Sequence, residues 1–138
     1  MKDVLKKKGP FVKKLPKQGE LFRKRWENEF ASSLSGSQKK EIYMDKFLWH
    51  AFSYEKLVCL QGEQTIQAFE QQIKHDCYLL FEHDERVLQL SKCKHLTTAD
   101  LSENTNMYLD DLYVVDKDFT WTYVITHESS CGPYFYRT

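Results

Sequence analysis

With 138 residues, 41% of them hydrophobic and 14% aromatic, the chain can build one packed core and bury roughly two-thirds of its unfolded surface, which excludes wholesale disorder. Its 20 basic and 20 acidic residues cancel, and its apolar runs fall far short of the roughly 20 residues that a membrane-spanning helix requires. Basic residues open the sequence, but no apolar stretch of a secretory signal follows them, so the expected location is the cytoplasm.

The zero balance hides an asymmetry. Residues 1–40 hold twelve Lys/Arg against four Asp/Glu and residues 41–138 hold eight against sixteen, so the two parts carry +8 and −8. A basic segment of this kind suits nucleic acid, an anionic membrane or an acidic protein, and it can equally fold back onto its own acidic domain.

Residues 1–19 are Lys-rich and interrupted by Gly9-Pro10, Pro16 and Gly19, which predicts a basic flexible arm ahead of a single α+β domain over 20–138. Phe22, Trp26 and Phe30 recur at spacings of four, the pattern of a short amphipathic helix, and the serine-rich stretch 32–37 ends it. Tyr43 and Met44, Phe47 and Leu48, and Ala51 and Phe52 form a paired repeat that predicts the strongest helix, with Trp49 and His50 at the edges of its apolar stripe. Leu57–Leu60 is a short strand candidate, and Gly62 opens a helix expected to turn Ile66, Phe69 and Ile73 inward.

The period then changes to two. Cys77–Phe81 and Val87–Leu90 read as a hairpin around Glu82–Arg86, and Thr97–Glu103 as one short helical turn. In the final quarter Phe119, Trp121, Tyr123 and Ile125 alternate with Thr120, Thr122 and Thr126. The large side chains are expected on one sheet face against the helix of Met44, Phe47, Leu48 and Ala51, the threonines on the other face, and Trp121 as the best single core residue. The predicted architecture is α+β, with N-terminal helices packed on a mostly antiparallel sheet of four to five strands.

Four groups could carry chemistry. His75-x-Cys77 and Cys93-x-His95 would supply a Cys2His2 zinc set, but Cys77 opens an apolar strand whose periodicity already accounts for it, and no metal or other cofactor is assigned. Cys59, Cys77, Cys93 and Cys131 are too dispersed for a disulfide framework and read as small buried hydrophobes. Cys131 has His127 and Glu128 nearby in sequence, a weak nucleophile signal with no cysteine-enzyme signature around it, so no catalytic residue is assigned. His127 is expected to hydrogen-bond a backbone carbonyl or a carboxylate at the sheet edge. Asp110, Asp111, Asp116 and Asp118 could bind a cation, yet Asp116 and Asp118 sit in a hairpin turn, where Asp favours local hydrogen bonds. Last, Lys13, Lys14, Arg23, Lys24 and Arg25 interleave with aromatics in a way that suits single-stranded nucleic acid.

Three stretches, Phe47-Leu-Trp-His-Ala-Phe-Ser53, Asp76-Cys-Tyr-Leu-Leu-Phe81 and Trp121-Thr-x-x-x-Thr-His-Glu128 with Gly132-Pro-Tyr-Phe135, resemble a family of small bacterial proteins defined as a domain of unknown function, family 4275. The resemblance covers residues from about 20 to 138. It implies a cytoplasmic bacterial protein of this length and brings no catalytic residues with it. A ligand site is expected where the Phe47–Ser53 segment meets the terminal hairpin, from Trp49, His50, Trp121, His127 and Glu128. The leading expectation is a non-enzymatic binding protein of the immunity or antitoxin kind with another protein as partner. The alternative is a nucleic-acid-binding accessory protein using the basic arm, and the last is a small enzyme using Cys131 and His127.

Overall fold

The computed structural model describes residues 11–104, 111–128 and 130–138. Seven strands form one sheet: β1 (Phe11–Leu15), β2 (Leu60–Gln61), β3 (Cys77–Phe81), β4 (Val87–Ser91), β5 (Leu112–Asp116), β6 (Trp121–Ile125) and β7 (Tyr134–Arg137). Their order is β1-β4-β3-β5-β6-β7-β2, with every neighbouring pair antiparallel. The helices are α1 (Gly19–Phe30), α2 (Gly36–Glu41), α3 (His50–Ser53), α4 (Glu63–Glu70) and α5 (Thr98–Asn104). The class is α+β, but the sheet is larger than the four to five strands expected. Phe11–Leu15, inside the segment read as a flexible arm, pairs residue for residue with β4, and Tyr134–Arg137 pairs with β6. Residues 1–10 of that arm lie outside the described residues.

Both faces of the sheet are covered, which explains why its central strands read as apolar on both sides. Tyr78 and Leu80, Val87, Tyr113 and Val115, Val124 and Tyr134 face a cluster built on α1 to α3, including Trp26, Phe30, Leu48, Trp49 and Phe52. The alternate residues Cys77, Leu79, Leu88, Leu90, Val114, Trp121, Tyr123, Ile125 and Phe135 face Phe69 of α4 and Leu101 of α5. The aromatic stripe of β6 therefore packs away from the 43–53 segment, contrary to expectation. Trp121 is a core residue, but it meets Phe69 at 5.5 Å and stacks on Phe135 at 5.9 Å. Phe119 leaves the stripe, because its left-handed turn conformation (φ 55°) sends it to the α1 side.

Thr122 follows the same logic. Being opposite Trp121 on a sheet covered on both faces, it is buried and accepts a hydrogen bond from the indole Nε1 of Trp26 at 2.9 Å. Trp26 is the centre of that layer, with Phe30, Phe52 and Tyr113 rings 5.3, 5.8 and 5.4 Å away. Helix α1 docks through the face of Phe22, Trp26 and Phe30, as its spacing predicts. Its first-turn N–H groups are met from outside: Glu85 supplies its backbone carbonyl to Gly19 and its carboxylate to Glu20, each at 2.8 Å. The approach is close enough that a Cβ on Gly19 would collide with the Asp84 carbonyl oxygen.

The segment expected to be the strongest helix is mostly turns. Tyr43 takes a left-handed conformation (φ 58°), and the bonds Tyr43 N–H to Lys40 O and Met44 N–H to Lys39 O close α2 in a Schellman motif. Glu55 (φ 57°) ends α3 the same way, with Glu55 N–H to Phe52 O and Lys56 N–H to Ala51 O. The apolar repeat is real, since Met44, Leu48, Ala51 and Phe52 are all buried, but it is presented by a compact chain of turns and only one short helix. Helix α4 docks by Thr65 and Phe69, leaving Ile66 at 44% and Ile73 at 82% exposure, so those two do not face inward as expected.

Thr122→Val should lower stability by about 1–3 kcal/mol although valine favours strands, because it removes the buried acceptor of Trp26 Nε1–H. Denaturant titration checks this. A midpoint equal to or above the parent value would mean that the indole N–H has another acceptor within reach.

Candidate functional site

Register brings Phe81, Leu112 and Ile125 side by side at one end of β3, β5 and β6. The residues just beyond them are polar: Glu82, Asp111, Thr126 and His127. Backbone pairing continues there, with Glu82 N–H donating to Asp111 O at 3.1 Å. Over this end lies the turn segment Met44–Trp49.

Glu82 and Tyr113 hold that segment in place. The buried Glu82 Oε1 accepts from Leu48 N–H at 2.8 Å and from the Tyr113 hydroxyl, whose oxygen accepts from Trp49 N–H at 3.2 Å. Burial pushes the Glu82 carboxyl up to about 7, against the pull of its hydrogen bonds from Tyr113 and Leu48. Burial likewise pushes the Tyr113 phenol far above its ordinary range, and the neighbouring Glu82 adds to the shift.

A second chain of groups runs outward. Asp111, buried, accepts from His127 N–H at 2.6 Å and pairs with its Nδ1 at 2.8 Å. His127 Nε2 lies 3.7 Å from Glu128 Oε1, and the Cys131 thiol donates to Glu128 Oε2 at 3.4 Å. The expected structural bond from His127 to a carboxylate is thus present. His50 is pinned similarly, its Nδ1 lying 2.6 Å from Ile42 O. A carbonyl only accepts, so that Nδ1 carries the proton, and Nε2 of neutral His50 is an acceptor. His127 likewise turns its Nδ1 to a protein oxygen, that of Asp111.

Between these groups stands Phe47, half-buried, with the rings of His50, His83, His127 and Trp49 centred 5.3, 5.6, 5.1 and 5.4 Å away. Trp49 is buried, and among the described residues its Nε1–H meets no acceptor. A cleft of about 460 Å³ opens alongside, between α1 and Met44–Leu48, with Arg23, Lys24, Glu27, Asp45, Lys46, Glu82 and His83 among its lining.

Of the residues expected to form a ligand site, Trp49, His50, His127 and Glu128 come together here. Trp121 does not, because strand alternation puts it on the opposite face. The basic set is dispersed. Lys13 and Lys14 alternate across the edge strand β1, Arg23 donates to Phe81 O at 3.0 Å and Asp84 O at 2.8 Å, and Arg25 lies 4.1 Å over the Phe119 ring. Asp116 is a turn residue, accepting from Thr120 N–H at 2.6 Å and Trp121 N–H at 3.2 Å, and Asp110 lies outside the described residues. Cys77 and Cys93 meet, while the His75 and His95 side chains are exposed. Among the described residues no group of three or more His, Cys, Asp or Glu could hold a metal ion.

Phe47, Glu82, His83 and Tyr113 were absent from the expected site. The available signal was ionisable Glu82-His83 directly after an apolar strand and Asp111 directly before one, since acids at strand ends remain near the core.

Residues 1–135 match a family model described as a domain of unknown function (DUF4275). No curated protein and no solved structure matches the chain. No helix among the described residues is long and apolar enough to cross a membrane.

Glu82→Gln keeps an oxygen acceptor for Leu48 and Tyr113 and removes the ionisation. The folded-state value near 7 exceeds the ordinary 4.5, so this group's contribution to stability is complete below pH 4.5 and is lost as pH rises through 7. The parent protein should lose about 3 kcal/mol from this group across that window. Denaturation profiles in buffers spanning the window should show a much flatter curve for Glu82→Gln, and parallel curves would contradict the assignment.

Proposed function

We propose that this chain, which belongs to the DUF4275 family, is a non-enzymatic binding protein that recognises a basic protein partner through the end of the sheet around Phe47. The observation that carries this reading is the half-buried Phe47 ring bordered by the imidazoles of His50, His83 and His127. An aromatic face attracts a lysine or arginine head group, by up to about 2 kcal/mol once water is excluded. With its Nδ1–H engaged by Ile42 O, His50 in the neutral form presents Nε2 as an acceptor, and Glu128 adds a carboxylate beside His127. Such a set suits a cationic donor. The acidic balance of residues 41–138 suits the same partner.

One observation favours a second reading, an enzyme using Cys131 and His127. Asp111, His127, Glu128 and Cys131 form a connected line, and an oriented imidazole near a thiol is material for nucleophilic catalysis. The thiol, however, donates to the Glu128 carboxylate, where a nucleophile would donate to the imidazole. Nucleic-acid binding draws less support, because Arg23 is engaged with the β3–β4 turn and Arg25 with Phe119.

Purified from native lysate at low salt, the full chain should retain a basic protein. Phe47→Ala should weaken that complex roughly tenfold or more, while Ile73→Ala, at an exposed site beyond α4, should leave it unchanged. The absence of any stable partner, together with a substrate turnover abolished by Cys131→Ala, would move the function to the enzymatic reading.

A further inference from the structure

Cys77 and Cys93 sit at the other end of β3, away from Phe47. Cys77 opens the strand, and Cys93 lies in the turn after β4. Both are buried, with their sulfurs 3.3 Å apart, and Cys93 is fastened by its N–H to His75 O at 3.0 Å. Its thiol also donates to that carbonyl, at 3.0 Å. The turn around it is a thin cover: Lys92 is left-handed (φ 58°), and Lys92, Lys94 and His95 are exposed. Lys74, buried and donating to Phe69 O at 3.0 Å and Gln72 O at 3.2 Å, favours thiolate on either sulfur, while Asp116 opposes it at Cys77 and Asp76 at Cys93.

We propose that Cys77 and Cys93 are a modification site, a dithiol that a peroxide-class oxidant converts reversibly into an intramolecular disulfide. The geometry carries this. A disulfide needs the sulfurs about 2 Å apart, so an approach of only about 1 Å closes the bond between two segments already held by backbone pairing. The hydrogen bond between the sulfurs lets one thiol donate to the other as that other ionises. Either sulfur can therefore attack. Its thiolate takes one peroxide oxygen, the O–O bond breaks, and the departing hydroxide picks up a proton to leave as water. The other sulfur then displaces the hydroxyl of the resulting sulfenic acid, and its own proton leaves with that hydroxyl as a second water. Two thiols lose two electrons in total, and the peroxide gains them.

The other two cysteines lie on the opposite face. Cys59 and Cys131 pack with the cluster of α1 to α3, across the sheet from Cys77 and Cys93. Burial also pushes the Cys59 thiol up to about 11, which keeps it protonated and slow. The site shares no residue with the Phe47 end, so its fate is separate from that of the binding reading.

Hydrogen peroxide is the probe. After exposure of the folded full chain, denaturation and alkylation should count two free thiols where four were present, and digestion should yield a peptide pair joined through Cys77 and Cys93 that a dithiol reductant separates. The Cys59→Ser/Cys131→Ser variant should form the same link as a monomer, and Cys93→Ser should form none. Should the double variant fold poorly, peptide mapping of the oxidised parent chain identifies the linked pair directly. Four alkylatable thiols after oxidation, a link between Cys59 and Cys131, a link between two chains, or zinc found bound to Cys77 and Cys93 would each overturn the proposal.

Discussion

A buried carboxyl beside a buried phenol organises this molecule. Leu48 and Trp49 place their backbone N–H groups inside the protein without a helical carbonyl to receive them, and Glu82 and Tyr113 stand where those carbonyls would be. Leaving either donor unmatched would cost about 1–3 kcal/mol. The two side chains come from the residue that follows β3 and from β5, so the sheet itself dictates how the Met44–Trp49 segment crosses its end. That crossing sets Phe47 among three imidazoles and lays Trp49 against His127 at 6.0 Å. The candidate site is a by-product of satisfying two backbone donors.

The same turn that carries Glu82 and His83 also receives α1. Glu85 meets the first-turn N–H groups of that helix, and Arg23 reaches the carbonyls of Phe81 and Asp84. One loop therefore links the helix layer, the central strands and the mixed-charge cleft. Rigidity at this point is what a recognition surface needs, since a preorganised site loses less entropy on binding.

Elements defined by one local period were legible in the sequence. The spacing of Phe22, Trp26 and Phe30 corresponds to α1, and the alternation of Trp121, Tyr123 and Ile125 corresponds to β6. What stayed hidden depended on partners far along the chain. A repeat of four over 43–53 cannot reveal that its N–H groups go to residues 34 and 64 positions away. Nor can alternation in β6 say that a second helix layer waits on the threonine side, where Trp26 reaches Thr122 across 96 residues. Four of the five expected ligand residues converge because polar groups cluster where strands end, and Trp121 separates from them because a single strand step moves a side chain through the sheet. Lysines at 13 and 14 masked β1, since composition says coil while pairing with β4 makes a strand.

Those lysines bear on how the molecule behaves in a crowd. Among the described residues a sheet of seven strands has two outer rims, each a row of backbone groups on which another chain could grow as a further strand. One rim is β1, where a second copy would have to bring its own Lys13 and Lys14 against an identical pair of charges. The other is β2, only two residues long, which gives an incoming strand almost nothing to template on. Repulsion guards the long rim and brevity the short one, so both work against the addition of a further strand.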